Sequence, residues 1–514
     1  MKPRLAWLLA VLLLPALPSW SAEDAAGKKA EAPAAAEKDK DAPEGKTWVT
    51  RHVITVGGAK LAYTATAGTM LMKNDKDEPV ALFGYTAYTR DGADPRTRPI
   101  MFAYNGGPGS ASAWLHMGIL GPKRTVLKDL ESNTTGPFRM VDNEYTILDR
   151  ADLVMIDPVG TGLSRVVGKG DGKDFWGVDQ DIDSVSKFIV RYLNDNKRWS
   201  APKFILGESY GGMRTAGVSY ELLTKHDVAL NGIVLVSPYL DFGSGNAGLG
   251  LDVPYVNFLS TYAATAWYHG MVPNRPAELQ PFLREVEQFA QDSYAPALLK
   301  GSRLTPEERR TVLAGLARYT GLSEDYWDKA NLRIDEGRFL AELMRSRGIV
   351  VGRIDTRYTG GTLNPLGESM SYDPYSASVA PAIVATFNDY YRGELKVESE
   401  RPYVLSGRLY RDWDNRHAEP GQYGKVPYAN TITDLSHAMT LNPKMKVLVQ
   451  TGYFDLACPY GTVHYALEHL DVAPGLRKNV NVQYYDAGHM MYVHPASMVK
   501  FKQDLAAFVD ASGK

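Results

Sequence analysis

Ser209 stands in the stretch KFILGESYGGMRTAG, residues 203–217, where four residues that read as a buried strand run into Gly-Glu-Ser-Tyr-Gly-Gly and then into helix-compatible residues. A serine at so tight a corner has its hydroxyl lifted clear of the strand, and the first amides of the following helix point at the same spot. Those are the conditions for a nucleophile, and a hydroxyl nucleophile needs a base and an acid that orients the base. Two downstream stretches supply them in the order Ser, Asp, His. LVQTGYFDLACPYG ends a buried strand and places Asp455 just beyond it; VQYYDAGHMMYVHP ends the last strand and places His489 in the following loop. In that arrangement His489 takes the Ser209 proton, while Asp455 fixes the imidazole tautomer and steadies its positive charge. Asp486 also lies near His489, but as a strand-end residue it is the less natural third member. Upstream, AYNGGPGSAS at 103–112 follows a strand with a glycine cluster whose amides can approach a ligand closely, which supplies an oxyanion hole.

These residues can meet only if the strands before them lie side by side. DLVMID (152–157), FILG (204–207), GIVLVSP (232–238), KVLVQTG (446–452) and VNVQYYDAG (480–488) read as strands buried on both faces, and helical stretches such as DIDSVSKFIVRYL separate them. That alternation predicts an α/β fold, a mostly parallel sheet with crossover helices, and loops past the carboxyl ends of parallel strands converge on one crevice. Ahead of them WVTRHVITV, KLAYTATAG and PVALFGYTAYT alternate as antiparallel strands do. From 243 to 425 a Tyr-, Trp- and Arg-rich mixture of helical and irregular segments interrupts the pattern, and it reads as a cap inserted over the carboxyl edge of the sheet. The hydrolase core is thus expected in two parts, 48–242 and 426–514.

The composition bounds the class. The 514 residues are 44% hydrophobic and 23% charged, with a formal net charge of -2, which suits a large packed core and gives no reason to expect a nucleic-acid partner. Residues 1–22 carry Lys2 and Arg4, an apolar run too short to span a bilayer comfortably, and small residues suited to cleavage after Ser21 or Ala22. A signal peptide, export to the periplasm or outside the cell, and no membrane span in the mature chain are therefore expected. Residues 23–47, rich in Ala, Lys, Glu, Asp and Pro, read as a linker without a core. The single cysteine, Cys458, excludes an intrachain disulfide.

In order and context, NGGPGS, IDPVGTGLS, GESYGG, GYFDLAC and AGHM resemble the motifs of the serine carboxypeptidases, members of the α/β-hydrolase fold. The resemblance runs from about Trp48 to the C-terminus. It implies Ser209, Asp455 and His489 as the triad, the amides of Gly107 and Tyr210 as the oxyanion hole, and Asn105 with Glu208 as the holders of a substrate's terminal carboxylate. A carboxylic acid facing a carboxylate can share a proton with it, which makes the last assignment chemically sensible and favours acidic pH. The chain departs from the family at Ala103, where a Trp is usual, at Ser110, where a Cys is usual, and at Ile119, where a second carboxylate-binding Glu is expected. Discrimination for free over amidated C-termini is accordingly expected to be modest. Cys458 coincides with the family's cysteine three residues past the aspartate, a neighbour of the site.

Other motifs carry less. GESM at 367–370 lacks the closing glycine of the nucleophile motif and reads as a loop. Gly160 and Gly162 suggest a dinucleotide turn, but Arg165 stands where its third glycine belongs, so a site-lining loop is expected and no cofactor. His464, His469 and His494 lack metal-ligand spacing, so no metal is expected. The expected activity is removal of the last residue from peptides with a free C-terminus through an acyl-enzyme. The alternatives are an esterase or acyltransferase using the same triad, and a non-catalytic binding protein on a hydrolase scaffold.

Overall fold

The computed structural model describes residues 44–248 and 250–513. The expected signal peptide at 1–22 and residues 23–43 of the expected linker (23–47) lie outside the described residues; of the linker's last four residues, Thr47 already belongs to the first strand.

Three antiparallel strands come first: β1 (Thr47–Val56), β2 (Ala59–Lys73) and β3 (Pro79–Arg90). Gly57 and Gly58 alone join β1 to β2, both at positive φ (58° and 80°), the backbone that a two-residue hairpin of matching twist needs. Six further strands follow: β4 (Ile100–Tyr104), β5 (Asp152–Asp157), β6 (Lys203–Glu208), β7 (Gly232–Val236), β8 (Lys446–Gly452) and β9 (Val480–Tyr485). They pair in the order β1-β2-β3-β5-β4-β6-β7-β8-β9, parallel from β5 to β9, with a two-residue strand at Arg165–Val166 on β3. Every residue of β4 to β7 is buried, which is why these strands read as unbroken apolar runs.

Helices cover both faces because side chains alternate along each strand. Phe102, Ile205, Ile233 and Val447 point to one face and pack with α1 (Val178–Asp195), α2 (Tyr210–His226) and a later helix. Val178, Ile182, Val185 and Ile189 form the apolar stripe of α1, spaced at three to four residues as an amphipathic helix requires. Met101, Phe204, Val234 and Leu448 point to the other face. Each such side chain contributes roughly 1.5–3 kcal/mol on burial, so the two clusters supply most of the driving force for folding.

Between β7 and β8 the chain adds α3 (Val253–Tyr268), several shorter helices, a hairpin of Ile349–Val351 with Thr359–Gly361, and α4 (Pro374–Asp389). A third apolar cluster forms here, in which Tyr262 of α3 stacks on Phe339 with ring centroids 4.0 Å apart. Phe454, Leu456 and Tyr460 join that cluster from the segment after β8, so the inserted helices grip the loop that carries Asp455. Val379, Ile383 and Phe387 of α4 pack instead with the second face of the sheet, together with Phe501 and Leu505. The chain then completes the layers with α5 (Ile432–Leu441) and α6 (Tyr460–Glu468) on the first face and α7 (Pro495–Ser512) on the second. Among the described residues no helix is long and apolar enough to cross a membrane.

Candidate active site

At the end of β6 the chain turns into α2 through one residue, Ser209, held at φ 64° and ψ −129°. That backbone is strained for a residue with a Cβ, by roughly 1–3 kcal/mol. Three backbone hydrogen bonds hold it: Ser209 N donates to Val236 O (3.0 Å), and Ser209 O accepts from Tyr239 N (2.9 Å) and Gly212 N (2.8 Å). The flanking glycines are required by close approach. A Cβ on Gly207 would lie 2.1 Å from Gly211 O, and one on Gly106 would lie 2.5 Å from Tyr210 N. The turn therefore needs glycine at 106 and 207, where any Cβ would collide with its backbone.

Asp455 and His489 meet as the motif order requires. His489 Nδ1 lies 2.8 Å from Asp455 Oδ2, while Asp455 Oδ1 accepts from the amides of Ala457 and Cys458, each at 2.8 Å. The carboxylate is fully buried, so its bonds are not diluted by water. The imidazole is fixed through its backbone as well: His489 N donates to Ile354 O (2.7 Å), and His489 O accepts from Ser237 Oγ (2.8 Å). Burial pushes the imidazole pKa down, but Asp455 and Cys458 together push it up, and the net lies well above the ordinary 6.5. Asp486 is exposed, whereas Asp455 is bonded to the ring, which makes Asp455 the acid that orients it. Cys458 is buried with its sulfur 3.9 Å from Ser209 Oγ, a neighbour of the site as its position in the motif suggests, and burial pushes its thiol pKa up.

Beneath the serine sits a second polar cluster. Asn105 Nδ2 donates to Glu208 Oε1 (2.7 Å), and Asn105 is itself oriented by Leu115 N on its Oδ1 (3.0 Å) and by the buried Arg214, whose Nη1 donates to Asn105 O (2.8 Å). The other carboxyl oxygen, Glu208 Oε2, accepts from the Tyr492 hydroxyl at 2.7 Å. Burial lifts the Glu208 pKa from 4.5 to about 7, against the lowering effects of His489, Tyr492 and Asn105. Sequence reasoning missed Tyr492. Its ring lies against Gly118, where a Cβ would come within 2.3 Å of Tyr492 Cε2, next to the buried Ile119 that stands in place of the expected second glutamate. The tyrosine supplies Glu208 with a hydrogen-bond partner from the other side of the site.

Ser209, Gly107, Tyr210, Asn105, Glu208 and His489 all border one cavity of about 510 Å³. Trp114, Tyr239, Phe242 and Tyr375 give it aromatic walls, and Arg353 enters it. Gly160 and Gly162 do not border it, contrary to the expectation of a site-lining loop: a Cβ on Gly162 would strike the Asp157 carboxylate, so these glycines serve packing behind the site. GESM at 367–370 lies in a loop. His464, His469 and His494 bond to Tyr484, Tyr465 O and Ser497 respectively, each apart from the others.

A serine on a strand-to-helix elbow of a mainly parallel, helix-flanked sheet, with an aspartate and a histidine on the loops after later strands, is the architecture of an α/β-hydrolase. Residues 61–291 match the family model for serine carboxypeptidases, which bears out the resemblance carried by the motifs. A curated relative, serine carboxypeptidase-like 33 of Arabidopsis thaliana, is 26% identical over 164 residues, 30% of this chain. The chain spans about a third of the length of that relative, 33%. Among solved structures, the prohormone-processing carboxypeptidase Kex1 of Saccharomyces cerevisiae superposes with a TM-score of 0.51 at 15% identity, covering 87% of this chain and 91% of the other. The proline iminopeptidase of Mycobacterium smegmatis gives a TM-score of 0.36 at 13% identity, over 90% and 99% of the two chains. The Kex1 likeness supports the fold assignment.

Proposed function

We propose that this protein is a serine carboxypeptidase that removes the C-terminal residue of peptides. The observation that carries the reading is Glu208, a buried carboxyl group next to Ser209 in the chain, bordering the same cavity and raised to a pKa of about 7. Its neighbour Asn105 borders the same cavity and donates to that carboxyl group. A protonated Glu208 shares its proton with the terminal carboxylate of a peptide, which seats the last peptide bond over Ser209.

The proposed steps are those of acyl transfer through a Ser-His-Asp triad. His489 takes the proton of Ser209 as Oγ attacks the carbonyl carbon, and Asp455, on Nδ1, holds the ring in the tautomer whose Nε2 acts as the base. The amides of Gly107 and Tyr210 stabilise the oxyanion. His489 then protonates the leaving amino group, the C-terminal residue departs, and water attacks the acyl-enzyme by the same route in reverse. The segment 243–425 acts as a cap whose aromatic residues shape the side-chain pockets. The basic start, apolar run and small residues of 1–22 support export.

Mass spectrometry of the products from a peptide library with free and amidated C-termini tests the reading. Loss of single residues from free C-termini, faster than from amides, is expected. Internal cleavage, or ester hydrolysis without any peptide cleavage, would overturn it.

A further inference from the structure

Among the described residues, Arg353 is the one arginine or lysine that borders the cavity around Ser209. Among the described residues no carboxylate lies within ion-pair distance of it, and its guanidinium makes a single long hydrogen bond, Nη2 to Ala457 O at 3.5 Å. Other arginines held inside this protein are treated differently. Arg357 is clamped between Asp355 and Asp129, Arg214 faces Asp181 at 2.7 Å, and Arg333 is bidentate on Asp252. A guanidinium offers five donors in a planar fork that matches a carboxylate, and among aromatic walls its charge is screened less than at an open surface.

The root of this side chain is fixed relative to the reacting groups. Arg353 N donates to Asp373 Oδ2 (3.0 Å) and Arg353 O accepts from Leu456 N (3.1 Å), next to Asp455. The carbonyl of the following residue, Ile354, accepts from His489 N, and Asp355 Oδ2 accepts from Gly488 N (3.0 Å). One short segment is thereby stitched to both loops that carry the acid and the base. Glu208 is already engaged by Asn105 and Tyr492, so Arg353 is not its counter-ion.

We propose that Arg353 forms a subsite beside Ser209 for the carboxylate of an acidic substrate side chain, an aspartate or glutamate flanking the bond to be cleaved. The proposal rests on the peptidase reading for its substrate class. The terminal carboxylate is assigned to Glu208 and Asn105, which leaves the Arg353 fork for a second anionic group, bound by a bidentate, charge-assisted pair.

Binding without turnover reads this directly. The protein with Ser209→Ala is titrated by calorimetry with N-blocked dipeptides of Phe with Glu or Gln, in both orders, as free acids and amides. Titrations with Ser209→Ala/Arg353→Gln and Ser209→Ala/Arg353→Glu follow. In at least one order Glu is expected to bind about tenfold tighter than Gln, the preference to vanish with Arg353→Gln, and a Lys dipeptide to be preferred with Arg353→Glu. Equal affinities for Glu and Gln would overturn the proposal, as would a preference that persists in both Arg353 variants. It is also overturned if the variants erase only the difference between free acid and amide, which would give Arg353 to the terminal carboxylate. Failure of the protein with Ser209 intact to cleave these peptides would sink the peptidase reading while leaving the Kd comparison legible.

Discussion

The Tyr492 hydroxyl donates to Glu208 Oε2 at 2.7 Å, from a 3-10 turn three residues past His489, while Asn105 donates to the other carboxyl oxygen. Glu208 is thus gripped from two directions, and the grip from Tyr492 comes from a residue outside the recognised motifs. Tyr492→Phe keeps the ring that fills the space over Gly118 and removes only the donor. The KM for peptides with a free C-terminus is expected to rise about threefold to tenfold, the scale of one lost hydrogen bond. The KM of an ester without a free carboxylate is expected to stay within about twofold. An equal loss on both substrates would assign Tyr492 a purely structural role.

Ser209→Ala is expected to lower turnover by a factor on the order of 10^6, as removal of a triad nucleophile does, and to abolish labelling by a fluorophosphonate. The far-UV circular dichroism and the Tm should match the parent, because alanine relieves none of the backbone contacts that hold the elbow. Near-normal peptide cleavage by this variant would remove Ser209 from the mechanism.

Cys458 offers a probe of the same place. Its sulfur lies 3.9 Å from Ser209 Oγ, so a mercurial bound there would crowd the nucleophile. Modification of Cys458, followed by mass, is expected to abolish turnover in proportion to its extent, and Cys458→Ala is expected to be insensitive to the reagent. Full modification with turnover retained would contradict the placement of that sulfur beside the hydroxyl.

A separate prediction concerns stability. His417 sits between Asp179 (2.6 Å) and Asp434 (2.8 Å), joining the C-terminal end of the insertion to α1 and α5. Burial pushes its imidazole pKa down, the two aspartates push it up, and the net is about 9 against an ordinary 6.5. A pKa raised in the folded state contributes stability that is complete below about 6.5 and lost as pH rises through about 9. The Tm advantage of the parent over His417→Gln should therefore shrink between pH 6.5 and 10. A difference in Tm that is constant across that range would mean that the imidazolium is not what joins these elements.

Much of this was legible in the chain because it rests on local rules. Buried parallel strands read as apolar runs, the glycines around Ser209 signal a turn that tolerates no Cβ, and loops after successive parallel strands have to converge, which brought Asp455 and His489 into view. Tyr492 was not legible, because its reach to Glu208 depends on an empty Cβ position at Gly118 in a distant segment. Arg353 was hidden for a similar reason. It lies in an irregular stretch whose position is set by hydrogen bonds to Leu456, Gly488 and His489, all more than a hundred residues away. The loop of Gly160 and Gly162 misled in the opposite sense, since glycine clusters mark close packing as readily as ligand approach.

The central claim, that a protonated Glu208 seats a free C-terminus over Ser209, is tested most directly by KM against pH. Matched peptides are used, one a free acid and one an amide, with the parent and with Glu208→Gln. Glu208 is raised to about 7, so below that pH it carries the proton it shares with the substrate carboxylate, and above it two anions face each other. The predicted result is a KM for the free acid that climbs as pH rises through about 7, a KM for the amide that does not, and a flat free-acid profile in Glu208→Gln, which keeps a donor at every pH. Parallel profiles for the two peptides in the parent would contradict the account and favour an esterase or an endopeptidase.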